Sequence, residues 1–187
     1  MIILASQSPR RRQLLDQIGV VYHAAPVSVD ETAFHQEAPE VFVRRIALDK
    51  ARAAQRQYPA HAILAADTCI ALDGKPLGKP QDQEHAVAML LSLADRDHEV
   101  FTAVTLIDAS GEHSRLSRSR VTFHTITEAQ ARRYWATGEP ADKAGGYAIQ
   151  GRGALFVKRI SGSYSGIMGL PLFETGQLLT KAGLLTV

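Results

Sequence analysis

The sequence has little of several residue types that would indicate a specialised class of protein. Its 187 residues contain one cysteine, Cys69, so no disulfide can form within the chain. Trp, Tyr and Phe together make up only 6% of the residues, and the formal net charge is +2. A charge that small does not by itself indicate a nucleic-acid partner, and we expect none. The histidines do not form pairs at the close spacings of zinc ligands, which argues against a structural zinc site.

Long apolar segments are also lacking. The first apolar run, residues 2–5, is too short for a signal peptide or a membrane helix, and no later run is long enough to cross a bilayer. We therefore expect a cytoplasmic protein with no membrane partner. The 45% hydrophobic and 21% charged residues are ordinary for a folded chain. Without repeats or linkers, the length predicts one domain over residues 1–187.

The most informative stretch is Ser6-Gln7-Ser8-Pro9-Arg10-Arg11-Arg12. It follows the first apolar run and precedes a helical pattern that ends at Gly19, so it predicts a strand, a tight turn and a helix. Ser8 suits the N-cap and Pro9 suits the first helical position. The free N–H groups of a helix start attract anions, and hydroxyls and guanidiniums accompany them here. The stretch predicts a phosphate site without Walker spacing; the alternative is a capped helix with solvated arginines.

Two further segments place a charge beside apolar residues. A helix is predicted over residues 39–56, and Lys50 falls on or beside its apolar face, where the amine either snorkels to solvent or points into a cleft. Residues 62–66 form an apolar run of the buried-strand type that ends at Asp67. Ligands of α/β proteins bind beyond such strand ends, and a buried acid is costly unless it is used. Asp67 is therefore a candidate site residue, with a turn-capping acid as the alternative.

The remaining pattern alternates strands, turns and helices. Lys79 lies between Gly78 and Pro80, so it is either aimed by a constrained backbone or an ordinary turn lysine. The polar, glycine-rich segment 138–151 is too broken to be core and predicts either a functional loop or a long surface connection. We further predict that the strand of residues 62–66 continues to residue 72 and ends in a turn at Asp73-Gly74. Helices are predicted over 82–93, 127–137 and 172–182, and strands over 99–107, 119–125 and 154–157. The stretch 162–166 is predicted to be flexible.

Together, these segments resemble the Maf family of nucleoside triphosphate pyrophosphatases, formerly described as septum-formation inhibitors. The resemblance covers nearly the whole chain; each motif is weak alone, but their order and spacing are specific. It rests on Ser6-x-Ser8-Pro9-Arg10-Arg11, Asp30-Glu31, Lys50-Ala51, Ala66-Asp67-Thr68, Gly78-Lys79-Pro80, Thr102-Ala103-Val104, Asp142-Lys143-Ala144-Gly145, Ile149-Gln150-Gly151 and Gly169-Leu170-Pro171. Arg10, Thr68 and Gln150 resemble the subfamily acting on dTTP and UTP, because a sister branch acting on 7-methyl-GTP has other residues there.

The resemblance implies a fold and an assembly. The fold is α/β, with an elongated mixed central β-sheet flanked by helices and two lobes with a cleft between them. The family usually forms homodimers, its substrate is a nucleoside triphosphate, and Asp67 stands where the catalytic acceptor is usually assigned. A house-cleaning role and a link to septum arrest are also implied. Asp95 stands where the family usually has glycine, and we expect only a local adjustment, since Asp tolerates left-handed backbone.

The resulting hypothesis is hydrolysis of dTTP and UTP, and of modified pyrimidine nucleotides, to the monophosphate and pyrophosphate. Water attacks the α-phosphorus, and Asp67 and Glu31 bind a divalent cation, position the water, or both. Mg²⁺ or Mn²⁺ prefers such oxygen ligands. The predicted phosphate ligands are Ser6, Ser8, Arg11, Lys50 and Lys79, with the role of Arg10 left open; the predicted determinants of base choice are Arg11, Thr68 and Gln150.

Two other functions fit parts of the pattern. A nucleotide-binding regulator of septum formation without turnover would use the same basic pocket, but Glu31 and Asp67 repel a triphosphate unless a metal intervenes. A nucleic-acid binder on the arginine turn is disfavoured because basic and aromatic residues are not interleaved. For Gln150, the alternative to base recognition is a hydrogen bond that only ties its own loop to the backbone.

Overall fold

One mixed sheet runs through the chain. The computed structural model describes residues 1–186, so the last residue of the predicted domain lies outside the described residues. The strands are β1 (Ile2–Leu4), β2 (Tyr22–Ala24), β3 (Ala62–Leu72), β4 (Lys75–Leu77), β5 (Asp97–Asp108), β6 (Gly111–Phe123) and β7 (Val157–Ser161). The α-helices are α1 (Pro9–Gln17), α2 (Pro39–Gln57), α3 (Gln83–Leu93), α4 (Glu128–Trp135), α5 (Tyr164–Met168) and α6 (Leu172–Lys181). None of the described helices has the length and apolar content needed to cross a membrane.

The strand order is β2-β1-β3-β5-β6-β7, and β4 also pairs with β3. β1 pairs in parallel with β2 and β3, whereas the later pairs are antiparallel. Before Asp67, the odd-numbered residues of β3 pack with α2, and the even-numbered ones pack with α1 and α6. This alternation follows from the pleat of a strand, whose successive side chains point to opposite faces. The predicted mixed sheet with flanking helices is confirmed.

The edge of β3 is uncovered in its middle. β1 pairs with residues 62–64 and β4 pairs with residues 70–72 on the same edge, because β5 covers the other edge. Between them, β3 has no strand partner on that edge among the described strands. Asp67 and Thr68 lie in this gap and point to opposite faces of the sheet. A ligand that enters the gap edge-on therefore meets side chains from both faces.

The two lobes lie on either side of this gap. The core of one lobe forms where β1 and the start of β3 pack against α1, α2 and α6. The core of the other lobe forms where β5 and β6 pack against α3 and α4, around the fully buried Phe123. The cleft opens between these cores, as expected for the two-lobed fold. Asp95 has a φ of 56°, so the left-handed turn expected there is confirmed.

Several predicted elements were wrong. Residues 152–156 form a 3-10 helix, and the strand β7 follows it instead of spanning 154–157. The strand predicted over 119–125 is the end of β6, which begins at Gly111; its polar first half is largely exposed, so no apolar alternation marks it. The stretch 162–166 contains the start of α5, because the Ser163 hydroxyl caps it by accepting from the Gly166 N–H.

Candidate active site

The first helix begins at the cleft. Ser8 is the N-cap, as predicted, but its hydroxyl makes no capping hydrogen bond in the described structure. Instead, the Ser8 N–H donates to the Ser6 hydroxyl over 3.1 Å. The first N–H groups of any helix lack partners within the helix. Ser8 and the first turn of α1 therefore present donors to the cleft that the helix itself does not use.

Arg11 is held in place by three hydrogen bonds. Its Nε donates to the Gly169 carbonyl over 2.8 Å, its Nη1 to the Ser6 hydroxyl over 3.2 Å, and its Nη2 to the Thr68 hydroxyl over a long 3.5 Å. Burial lowers the pKa of Arg11, although nearby Asp67 opposes that shift. A guanidinium has five N–H donors, so two remain for a ligand. Arg11 is thus oriented before any anion arrives.

Arg10 has a buried donor that the protein does not satisfy. Its Nε is buried and has no hydrogen-bond partner among the described residues. Burial lowers the pKa of Arg10, and the charge of Asp142 acts in the opposite direction. A buried donor without an acceptor is costly, and a phosphate oxygen in the cleft is a suitable acceptor for a guanidinium. Arg10 therefore belongs with Arg11 among the candidate anion ligands.

Lys50 points into the cleft. Its amine lies 2.8 Å from an oxygen of Asp67 and 2.8 Å from an oxygen of Glu31, and Lys50 and Asp67 are both buried. Helix α2 supplies Lys50, strand β3 supplies Asp67 on its α2-facing side, and the loop before α2 supplies Glu31. The snorkelling alternative for Lys50 is therefore wrong. Three elements bring one ammonium and two carboxylates together at the uncovered edge of β3.

The surroundings of Asp67 shift its pKa. Burial raises its pKa, while Lys50 and Arg11 pull the pKa down and Glu31 adds to the rise. A carboxylate with a raised pKa is a stronger base than an exposed one. The contact with Lys50 keeps a counter-charge beside the ionised form. Asp67 is therefore suited to accept a proton from a water molecule in the cleft.

All of the predicted site residues border one cleft. Its volume is about 800 Å³, within the range of small-molecule sites. Lys79 and Gln150 are exposed and make no side-chain hydrogen bond in the described structure, whereas Thr68 is half-buried. The lining includes Ser6, Ser8, Arg10, Arg11, Glu31, Lys50, Asp67, Thr68, Lys79 and Gln150. Since Gln150 has no backbone partner there, the structure does not support the alternative in which it only ties its own loop.

The loop over residues 138–151 is anchored by a buried pair. Its middle, residues 145–149, is buried, so the prediction that the segment is too polar to be core was wrong there. The Tyr147 hydroxyl lies 2.7 Å from His98 Nε2, and the two rings pack edge-to-face with Phe123. Burial lowers the pKa of His98 to about 4 and raises the pKa of Tyr147. A neutral histidine thus holds the loop from inside the core.

A second anchor joins the two ends of the same loop. Glu139 accepts hydrogen bonds from the Tyr134 hydroxyl over 2.6 Å and from the N–H groups of Arg152 and Gly153 over 2.9 and 3.0 Å. The Tyr134 hydroxyl in turn accepts from the Ala148 N–H over 3.1 Å. Together the two anchors hold Tyr147 and Ala148, which precede Gln150, and Arg152 and Gly153, which follow it. The amide of Gln150 is therefore left facing the cleft while its backbone is held.

The residues that support the site had no role predicted from the sequence, although Thr102 and Gly169 lie in motifs that carry the family resemblance. His98 and Thr102 occupy inward positions of β5, which only the strand alternation could have indicated. Gly169 was part of a recognised motif without an assigned role. Its φ of 121° is rarely adopted by other residues, and its carbonyl is the acceptor for Arg11. The sequence separation of these partners, such as Arg11 and Gly169, hides their contact.

Comparison with known proteins identifies the family. The profile of Maf-like proteins matches residues 1–182, nearly the whole chain.

The chain belongs to the Maf family.

Its relatives include a protein of Alkalilimnicola ehrlichii named dTTP/UTP pyrophosphatase, which is 55% identical over 96% of this chain and 92% of its own length. A protein of Methylococcus capsulatus with the same name is 51% identical over 98% of this chain and 91% of its own length. Among solved structures, a HAM1 protein from Coxiella burnetii aligns with a TM-score of 0.55 at 14% identity, covering 96% of this chain and 98% of the other. That last similarity concerns the fold alone, because the identity is low.

Proposed function

We propose that this Maf protein is a nucleoside triphosphate pyrophosphatase that hydrolyses dTTP and UTP to the monophosphate and pyrophosphate. The observation that carries the proposal is the contact of Asp67 with Lys50 in a cleft that also contains Arg11 and a helix start. Relatives at about half identity with the name dTTP/UTP pyrophosphatase support the choice of nucleotide. Modified pyrimidine nucleotides of the same shape are included in the proposal.

Asp67 acts as the base in the proposed mechanism. Water attacks the α-phosphorus in line with the leaving pyrophosphate, and the Asp67 carboxylate takes the proton of that water. Burial has already raised the pKa of Asp67, which favours proton uptake. Lys50, 2.8 Å away, limits the repulsion between the carboxylate and the incoming triphosphate. Glu31 shares the same amine and is the second acid available at the reacting centre.

The cations of the cleft bind the triphosphate. The barrier to phosphoryl transfer lies largely in the charge on phosphate oxygens, so fixed donors lower it without reorganisation. Arg11 is fixed by its contacts with Ser6 and Gly169. Arg10 contributes a buried donor without a protein partner among the described residues. Ser6, Ser8, Lys50 and Lys79 complete the proposed phosphate ligands.

We also propose a divalent cation at the two acids. The described residues contain no group of three or more His, Cys, Asp or Glu able to hold a metal. Mg²⁺ is, however, commonly bound through one or two carboxylates together with substrate phosphates and water. Glu31 and Asp67 each use one oxygen to contact the Lys50 amine, and we propose that their other carboxylate oxygens hold Mg²⁺ or Mn²⁺. Such an ion would neutralise phosphate charge and acidify the attacking water.

Base choice is assigned to Arg11, Thr68 and Gln150. The Gln150 amide carries N–H donors, which match the carbonyl acceptors of uracil and thymine. The loop that bears Gln150 is anchored through Tyr147 and Glu139, so its side chain meets the base from a supported backbone. A regulator of septum formation without turnover is the weaker alternative, since it leaves the buried Asp67 without a use.

The proposed assembly and cellular role are those that the resemblance to the Maf family implies. We propose that the protein acts in the cytoplasm as a homodimer, with residues 1–187 as one catalytic domain and a house-cleaning role linked to septum arrest. Neither nucleic acid nor a membrane is part of this proposal. Size-exclusion chromatography with light scattering tests the dimer: a single peak at twice the chain mass is expected, and a monomer at micromolar concentration contradicts it.

The activity has a direct test. Purified protein is incubated with dTTP, UTP, CTP and GTP, with Mg²⁺, with Mn²⁺ and with EDTA, and pyrophosphate and phosphate are measured separately. We expect pyrophosphate from dTTP and UTP only when a divalent cation is present. Release of single phosphate, or full activity in EDTA, contradicts the proposal. Tight nucleotide binding without any product would favour the regulator instead.

A further inference from the structure

A hydrogen-bond chain of fixed direction runs behind Thr68. The Thr102 hydroxyl lies 2.7 Å from the Gly166 carbonyl and 3.0 Å from the Thr68 hydroxyl. A carbonyl only accepts, so the single proton of Thr102 points to Gly166. The Thr68 hydroxyl must then donate to Thr102. Thr102 is 1% exposed, so water cannot replace either partner easily.

The hydrogen bond between Arg11 and Thr68, at the other end of this series, has the same direction. Arg11 Nη2 lies 3.5 Å from the Thr68 hydroxyl, and a guanidinium only donates. Thr68 therefore receives from Arg11 and gives its proton to Thr102. A hydroxyl has two lone pairs, and one of them remains for a ligand in the cleft. Thr68 faces the cleft as an acceptor and has no proton to offer.

This polarity determines what Thr68 can contact. Phosphate oxygens are acceptors, so a hydroxyl that can only accept cannot form a hydrogen bond with them. It can form one with an N–H donor of a ligand. Uracil and thymine present a ring N–H between two carbonyls, whereas cytosine has a bare nitrogen lone pair at the same ring position. A site whose polar groups are left unpaired rejects the wrong ligand strongly. An acceptor at Thr68 thus favours uracil and thymine over cytosine.

We infer that Thr102 is a positioning residue for base choice: it fixes the Thr68 hydroxyl as an acceptor for the ring N–H of uracil and thymine. This inference rests on the proposed function, because it assigns a determinant of specificity within the same cleft. Thr102 touches no ligand itself and acts only through the proton of Thr68. Its removal lets that proton turn toward the cleft, where it suits the ring nitrogen of cytosine.

The test compares three variants. Thr102→Val keeps the shape of the side chain and removes the hydroxyl, and Thr102→Ser restores it. Thr105→Val is the matched control, because Thr105 is a fully buried threonine on the same strand whose hydroxyl bonds to Ser114 over 2.7 Å. The measurements are kcat/KM for UTP and CTP, binding of UMP and CMP by calorimetry, and a thermal melt of each protein.

We expect Thr102→Val to lower the ratio of UTP to CTP kcat/KM by about three- to tenfold, the effect of one hydrogen bond. The UMP to CMP affinity ratio should fall in parallel, Thr102→Ser should restore both ratios, and Thr105→Val should leave both unchanged. If Thr102→Val does not fold, Thr102→Ala provides the same comparison.

An unchanged ratio in a folded Thr102 variant overturns the inference while leaving the proposed function intact. An equal change in Thr105→Val also overturns it, since the effect would then be general to the strand. A wild-type protein that produces no pyrophosphate from either UTP or dTTP overturns the proposed function, and with it this inference.

Discussion

The two walls of the cleft hold their side chains in opposite ways. On one wall, Lys50 contacts both Glu31 and Asp67, and the charges of Lys50 and Glu31 both act on the pKa of Asp67. On the other wall, Gln150 touches no protein partner among the described residues, and its loop is held from behind by Tyr147 and Glu139. The first wall is a cluster of interacting charges, whereas the second presents one side chain without a described partner on a loop that is anchored to the core. Changes to the first wall should therefore affect catalysis on every nucleotide, and changes to the second should be selective.

The largest effect is expected at Asp67. Asp67→Asn keeps the shape of the side chain but removes the base and the partner charge of Lys50. Loss of a general base costs roughly 10²–10⁴ in rate, so we expect kcat on dTTP and UTP to fall by at least that range. A thermal melt should show that folding is retained. If Asp67→Asn keeps more than about a tenth of the wild-type kcat, the base must be another acid, and Glu31→Gln identifies whether it is Glu31.

Lys50 tests the coupling within the charged wall. Lys50→Ala, Lys79→Ala and Arg11→Ala should each lower kcat/KM for dTTP by roughly ten- to a hundredfold, which is the contribution of a charged hydrogen bond. The Lys50 change, and to a smaller extent the Arg11 change, should also move the pH–rate profile upward, because each removes a positive charge that holds down the pKa of Asp67, whereas the Lys79 change should not. Lys75→Ala, an exposed lysine outside the cleft, is the control. Profiles that coincide for the Lys50 and Lys79 variants would contradict the coupling.

Gln150 tests the selectivity of the second wall. Gln150→Glu removes the amide donor and adds a charge, so it should lower kcat/KM for dTTP and UTP by about tenfold and affect CTP and GTP less. Gln57→Glu adds the same charge at an exposed position away from the cleft and serves as the control. The measurement is kcat/KM on the four nucleotides together with a melt. A uniform loss on all four with a lower melting temperature would falsify base recognition by Gln150.

The smallest effect concerns the anchor of the loop. Burial lowers the pKa of His98 in the folded protein to about 4, whereas an unfolded histidine titrates near 6.5. Between these values the unfolded chain binds more protons, so stability falls as the pH decreases. We expect His98 to contribute a loss of about 2 kcal/mol in the free energy of unfolding between pH 7 and pH 5.

Denaturant unfolding of wild type and His98→Asn at these two pH values measures that contribution. Because other titrating groups are shared, the difference between the two proteins isolates His98. The variant should lose less stability on acidification than the wild type. Equal losses would show that His98 is not buried in its neutral form.

The candidate site was predictable where its chemistry lies in local sequence. The serine and arginine turn, the acid at the end of the β3 apolar run, and the lysine on the apolar face of α2 each stand out in a short window. Each of these windows left an alternative open, however. Lys50 remained undecided between solvent and cleft because a periodic pattern locates a side chain on a helix face without saying what lies opposite that face.

The sequence by itself determined the family, the order of most elements and the residue types that the cleft contains. Only the tertiary structure decided which of them meet: Lys50 with Asp67 and Glu31, Arg11 with Gly169, and Thr68 with Thr102. It also decided that residues 145–149 are buried, against their polar and glycine-rich appearance. The physical reason is that local patterns record the preferences of neighbouring residues. Contacts between distant residues, and the burial that shifts the pKa of Asp67 and His98, exist only once the lobes have packed around the gap in β3.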